Sequence, residues 1–197
     1  MSTVPFEQRA HRVILYENCE FPLTNTGALA EVKFVDFEEF DANGVPGMEA
    51  YTFTHIFRNP DLSRVRREEA WENLKPGVHG PRDAVLEWGP NVTLGNVAFG
   101  TRPRGPMAAL IVKKRDASRA GKVSRYFSIQ GVECKWKIDG DRWECVDASN
   151  RPLAEWVRDH SRPNYYGRLI VHKAGYLVIT EIVATLVLNR IATIKNW

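Results

Sequence analysis

Short runs in which apolar residues are continuous, or alternate with polar ones, dominate the chain, the pattern of strands that set one or both faces on a core. Arg12 to Tyr16, Glu31 to Phe37 and Ala50 to Phe57 come first, separated by turn-rich stretches such as Asp41-Ala42-Asn43-Gly44. Ala84 to Trp88, Thr93 to Phe99 and Ala108 to Lys113 follow, and Leu169 to His172 closes the series. One interruption predicts a helix. Asn59 can cap it, Pro60 can fill its first turn, and Leu62, Val65, Ala70 and Leu74 share a face until Pro76-Gly77. Its Arg64, Arg66, Arg67, Glu68 and Glu69 then form a solvated face.

The segment from Tyr126 to Trp156 is the most readable. A two-residue turn at Asp139-Gly140 pairs Ile138 with Asp141, Trp136 with Trp143 and Cys134 with Cys145. Cys134, Trp136, Trp143 and Cys145 then share one face, while Lys135, Lys137, Arg142 and Glu144 share the other, with Lys135 across from Glu144. A further strand pair follows, from Trp143 to Asp147 and, through Ala148-Ser149-Asn150-Arg151, into Leu153 to Val157. A disulfide between Cys134 and Cys145 is geometrically conceivable in this register, but a reducing compartment predicts two buried thiols.

Tyr176 to Ile194 is the most apolar stretch. On a helical wheel Glu181, Thr185, Asn189 and Thr193 make a narrow polar stripe at intervals of four, so the helix is buried nearly all round or sits in lipid. Its length approaches that of a bilayer span. Glu181, Asn189 and Arg190 argue for a core helix instead, since a central charge costs roughly 2.5–3.5 kcal/mol on insertion scales. No transmembrane span is expected. The β-branched second half, Leu188 to Ile194, leaves a final strand as an alternative.

Composition narrows the class. At 197 residues and 44% hydrophobic, the chain has enough apolar material for one domain, 1–197, that folds without disulfide support. The net charge of +3 is too small to argue for nucleic acid by itself. The cysteines are three and sparse, unlike the even, dense sets of secreted scaffolds. Glu7, Gln8, Arg9, His11 and Arg12 interrupt the apolar stretch that a signal peptide needs, so the expected location is intracellular and cytoplasmic. Asn91-Val92-Thr93 then fits a glycosylation acceptor by chance.

The order of elements resembles the fungal domain of unknown function 6593 family, related to the tubby C-terminal-like fold of tubby-like and scramblase-like proteins. Ala84-Val85-Leu86-Glu87-Trp88 followed by Val97-Ala98-Phe99 carries it, then Tyr126-Phe127-Ser128-Ile129, Gly131 and Cys134-Lys135-Trp136-Lys137. Trp143 to Asp147, Leu153-Ala154-Glu155-Trp156, Leu169-Ile170-Val171 and Glu181-Ile182-Val183-Ala184-Thr185 continue it, from about Val13 to Ile191. The resemblance implies a mainly β, closed antiparallel barrel around an apolar C-terminal helix. The Asn59 to Pro81 insert and the Arg102 to Pro106 loop depart from the pattern. Relatives' association with membranes and phosphoinositides implies a lipid ligand without assigning residues.

The chemistry is sparse. His11, His55, His79, His160 and His172 are scattered without metal-ligand spacing, and no nucleophile elbow, phosphate loop or dinucleotide fingerprint occurs. Asp139 and Asp141 read as turn residues. No metal, cofactor or catalytic activity is expected. Local charge is the clearest signal: from Arg102 to Arg125 eight basic residues stand against Asp116 alone. Within this run Lys113, Lys114, Arg115, Arg119 and Lys122 are the candidate anion- or lipid-binding residues, a rim for anionic phospholipid or phosphoinositide. The chain reads as a non-enzymatic binding module, peripheral at membranes. The alternative is a protein-interaction or structural domain that uses the helix near Arg64 to Leu74. Nucleic acid is disfavoured, because no aromatic lies between Arg102 and Arg125 to stack on a base.

Overall fold

The computed structural model describes residues 12–24, 26–37, 47–56, 60–115, 123–129 and 131–197. Its strands are β1 (Arg12–Glu17), β2 (Val32–Asp36), β3 (Met48–Ile56), β4 (Leu62–Arg67), β5 (Asp83–Gly89), β6 (Thr93–Phe99) and β7 (Gly105–Pro106). They continue as β8 (Val112–Arg115), β9 (Val123–Ile129), β10 (Val132–Asp139), β11 (Arg142–Asp147), β12 (Pro152–Arg158) and β13 (Gly167–His172). Among the described residues two α-helices, α1 (Glu69–Leu74) and α2 (Ile179–Ile194), and a 3-10 turn, Lys173–Val178, accompany the strands. The strands form one 13-stranded sheet in the order β7-β6-β5-β4-β3-β2-β1-β13-β12-β11-β10-β9-β8. It consists of two antiparallel meanders joined where β1 pairs with β13.

The two edge strands, β7 and β8, are consecutive in the chain. A single 3-10 turn, Met107–Leu110, links them, and Met107, Leu110 and Ile111 are buried. So short a link reaches at most roughly 20 Å, which brings the edges to either side of this turn. The sheet is therefore curled, but no hydrogen-bonded strand pair among the described residues joins its two edges, so the expected closed barrel is not formed by hydrogen bonds.

Helix α2 occupies the interior, every residue from Ile179 to Ala192 being buried. By length and composition Lys173–Ile194 could cross a bilayer, yet 78% of that apolar window is covered by the rest of the fold. The polar stripe is satisfied mostly within the helix. The Thr185 hydroxyl, Asn189 amide and Thr193 hydroxyl each donate to the carbonyl four residues back, at 2.8, 2.8 and 2.9 Å. The sheet supplies further partners. Trp136 Nε1 donates to Thr185 Oγ1 at 3.0 Å, and the Tyr51 and Thr180 hydroxyls share a hydrogen bond of 3.0 Å. Burial pushes the Tyr51 phenol up to about 12.

Several expectations need correction. Leu62 to Arg67 is strand β4, paired on one side with β3 and on the other with β5, and only Glu69–Leu74 is helical. Arg67 lies on the inner face of that strand, where it donates to Glu72 and to the carbonyls of His79 and Gly80. The helical surface expected between Arg64 and Leu74 is thus not formed. Its capping Asn59 lies outside the described residues. Ala108 to Lys113 divides into the 3-10 turn and β8, because the chain must cross from one sheet edge to the other. Leu188 to Ile194 is helical, not a strand.

The β10–β11 hairpin turns at Gly140-Asp141, with Asp139 opposite Arg142. Gly140 has a φ of 54° at the first central position, where a two-residue loop of this kind favours glycine. Every pair moves accordingly. Cys145 faces Trp136, Cys134 faces Asp147, and Lys137, not Lys135, faces Glu144. The shift preserves the division of faces, so the expected sidedness holds. Both cysteines are buried and free. Trp143 instead stands opposite Trp156 on β12, their ring centroids 5.6 Å apart.

Candidate anion-binding end of the sheet

Strands β8 and β9 run antiparallel, with Lys113 opposite Arg125, Lys114 opposite Ser124 and Arg115 opposite Val123. Alternation along so short a strand sends neighbouring side chains to opposite faces. Lys113 and Lys114, both exposed, therefore mark two surfaces of one edge. Arg119 and Lys122 lie outside the described residues, in the connection between these strands.

On the outer surface Lys114 Nζ stands 4.2 Å above the centroid of the Tyr126 ring. Lys135, opposite Tyr126 on β10, approaches the same ring at 5.6 Å. Glu133 lies 3.7 Å from Lys114, both being more than half exposed, a pair that contributes about 0–1 kcal/mol. A cleft of about 340 Å³ opens beside them, lined by Val112, Lys114, Tyr126, Ser128 and Glu133 among others. A smaller one of about 110 Å³ lies between Tyr126, Lys135 and Asp147.

The end of α2 reaches the same end of the sheet. Arg125 Nη2 donates to the main-chain oxygen of Trp197 at 3.0 Å, tying β9 to the residues after the helix, which include Lys195. On the β1 side Arg190 forms a buried ion pair with Glu17 and donates to the carbonyls of Cys19 and Glu20. Trp156 Nε1 also donates to Glu17, at 2.7 Å. These contacts bring the Cys19-Glu20-Phe21 segment beside the helix end, where Phe21 is 55% and Ile194 47% exposed. Cations and exposed apolar side chains thus share one end of the molecule.

The remaining basic residues of the run belong elsewhere. Arg102 reaches the far end of α2 and pairs at 2.7 Å with buried Glu181. Burial raises that carboxyl, while its own backbone amide and Arg102 oppose the shift. Arg104 pairs with Glu87 at 2.6 Å. A stretch that is one charge block in sequence is thus two structural groups. What the sequence did not reveal is the contribution of Tyr126, Lys135 and Phe21. Tyr126 directly follows the basic run, and Lys135 alternates with Lys137 on the polar face of β10, so both left a trace. Phe21 left none.

Buried thiols offer little reactivity here. Burial pushes Cys134 up to about 11 and Cys145 well above the ordinary thiol range. Among the described residues no group of three or more His, Cys, Asp or Glu side chains could hold a metal ion. No family model matches the chain, and neither curated proteins nor solved structures give a match.

Proposed function

We propose that the chain is a non-enzymatic module that docks reversibly on anionic membrane from the intracellular side, through the β8–β9 end of its sheet. The observation that carries this reading is the joint exposure of Lys113 and Lys114 with Phe21 and Ile194 at the end where α2 terminates. Cations of this kind contribute roughly 1 kcal/mol each near an anionic surface, and apolar side chains beside them can enter the headgroup boundary. In the same reading the curled sheet is a tubby C-terminal-like barrel of the 6593 type. The buried helix and the consecutive edge strands support that assignment.

Co-sedimentation with vesicles of phosphatidylcholine alone, or containing phosphatidylserine or a phosphoinositide, tests the docking. Removing three charges in a Lys113→Ala, Lys114→Ala, Arg115→Ala variant is expected to weaken anionic binding by roughly two orders of magnitude. Absence of binding to any anionic vesicle at physiological ionic strength, or equal binding by the variant, refutes the reading.

A further inference from the structure

The connection between β6 and β7 is held in one shape by its own backbone. Gly100 takes a φ of 54°, which favours glycine, and its amide donates to the Asp83 carbonyl at 2.9 Å. The Arg102 amide closes a turn on the Phe99 carbonyl at 3.0 Å. Pro103 then restricts its own backbone and that of Arg102. Arg102 and Arg104 are thus presented from a stiff loop, one on each side of a proline.

Each guanidinium is anchored to a carboxylate through Nη1 alone among the described residues. Arg102 reaches inward to buried Glu181 at 2.7 Å, and Arg104 reaches Glu87 at 2.6 Å. Most of the five N–H donors of each arginine therefore remain unspent. Both residues line a cleft of about 310 Å³ on the outer face of β5 and β6, with Val85 and Ala98 as its apolar wall and Asn96 beside them. That volume lies at the lower end of small-molecule sites. The outer face of β4 to β6 and the loop carry Arg64, Arg66, Arg102 and Arg104 against Asp83 and Glu87, four cations to two carboxylates. Arg64 stands directly opposite Val85, so the surplus borders the cleft.

We propose that this cleft binds a small monocarboxylate, whose anionic group meets the unspent N–H groups of Arg102 and Arg104 while its hydrocarbon part lies against Val85 and Ala98. The planar guanidinium fork matches two carboxylate oxygens. Glu87 stands in the same cleft, so a monoanion is repelled less than a phosphate dianion, and the apolar wall gives an alkyl chain a surface to cover. Glu181 acts from behind as a positioning residue: it fixes Arg102 from the core and does not touch the ligand. The site lies at the opposite end of α2 from the β8–β9 edge and does not depend on membrane docking.

The test follows backbone amide and arginine Nε–H resonances of the isotope-labelled full chain during titration with hexanoate, hexanamide or inorganic phosphate at matched ionic strength. The expected result is saturable shifts between Asn96 and Arg104 with hexanoate and none with hexanamide. Arg104→Gln changes a side chain that is 70% exposed, and should weaken hexanoate about tenfold or more, the loss of a charge-assisted hydrogen bond. Arg102→Gln is made together with Glu181→Gln, so that no buried charge is stranded, and should weaken binding as much. Glu181→Gln alone keeps the guanidinium and should retain binding, as should the Lys113, Lys114, Arg115 triple alanine variant. Absence of saturable shifts, equal shifts with hexanamide, or parental affinity in Arg104→Gln and the double variant overturns the site. Tighter binding of phosphate than of hexanoate at the same resonances overturns the carboxylate assignment.

Discussion

Replacing Glu17 by Gln removes the carboxylate that faces Arg190, the cation of the core helix. Glu17 is fully buried and Arg190 is 8% exposed, so neither charge is hydrated well enough to stand alone. Burial lowers Arg190 to about 10, which leaves it charged at neutral pH. In Glu17→Gln the guanidinium keeps the carbonyls of Cys19 and Glu20 and its place 5.0 Å from the centroid of the Trp156 ring, but loses its counter-charge. Breaking one side of such a pair costs about 3–5 kcal/mol. Arg190→Met strands the carboxylate in the same way and is expected to cost a similar amount. The double variant removes both charges at nearly conserved volume, so it should fall short of the summed losses by about 1–3 kcal/mol. Urea unfolding followed by tryptophan fluorescence supplies all the free energies, provided the m-value is unchanged. Single losses below about 1 kcal/mol, the range of solvated pairs, or strict additivity, would refute the reasoning and the inserted position of α2 with it.

Further consequences follow from steric fit, titration and thiol burial. A Cβ on Gly175 would lie 2.5 Å from the Leu153 carbonyl oxygen and 3.0 Å from side-chain atoms of Ile182 and Val171. Gly175→Ala should therefore cost about 1–3 kcal/mol, read as a drop in Tm, and an unchanged Tm would rule out this close packing of the 3-10 turn Lys173–Val178 against β12 and α2. Burial lifts the folded-state value of Glu181 above its unfolded one, so stability falls as pH rises from the ordinary carboxylate value through the folded one. Glu181→Gln should remove that component, and its Tm relative to the parent should increase across that interval; a constant difference contradicts the assignment. Native alkylation with iodoacetamide should modify half-buried Cys19 well before Cys134 and Cys145, and intact mass showing three equally fast additions would overturn their burial.

Much of the sheet was legible because its strands carry their own face pattern. Asp83–Gly89 buries Ala84, Leu86 and Trp88 in strict alternation, and Thr93–Phe99 coincides with the expected strand. Strand β4 escaped for an electrostatic reason. Ser63, Val65 and Arg67 point inward, so an inward arginine and outward Arg64 and Arg66 blur the alternation. Leu62 and Val65 then mimic a helical spacing, and the partners that decide the matter, Glu72 and the His79 and Gly80 carbonyls, come after the strand itself. The hairpin shows what pattern fixes and what it leaves open. Alternation assigned the faces of Cys134, Trp136, Trp143 and Cys145 correctly, while the choice between two glycine-containing turns set the register. The basic run was visible as charge, but its division between Glu181, Glu87 and the β8 edge depends on contacts such as Arg102 to Glu181, 79 residues apart.

Lysines on a short edge strand have a structural use independent of any ligand: they discourage another chain from pairing with the exposed backbone. Strand β8 is four residues long and ends the sheet, so its Lys113 and Lys114 would be expected there on those grounds alone. Arg125 is different. It lies on β9, one strand in from the edge and paired on both sides, where protection against strand addition gives no reason for a cation. Burial lowers its pKa, and it reaches across to the main-chain oxygen of Trp197. Edge protection therefore accounts for the lysines but not for the arginine behind one of them, and the two roles separate experimentally. Neutralising Lys114 should alter self-association and general attraction to anionic surfaces, whereas neutralising Arg125 should release the residues after α2 from β9, read as faster hydrogen exchange of their amides.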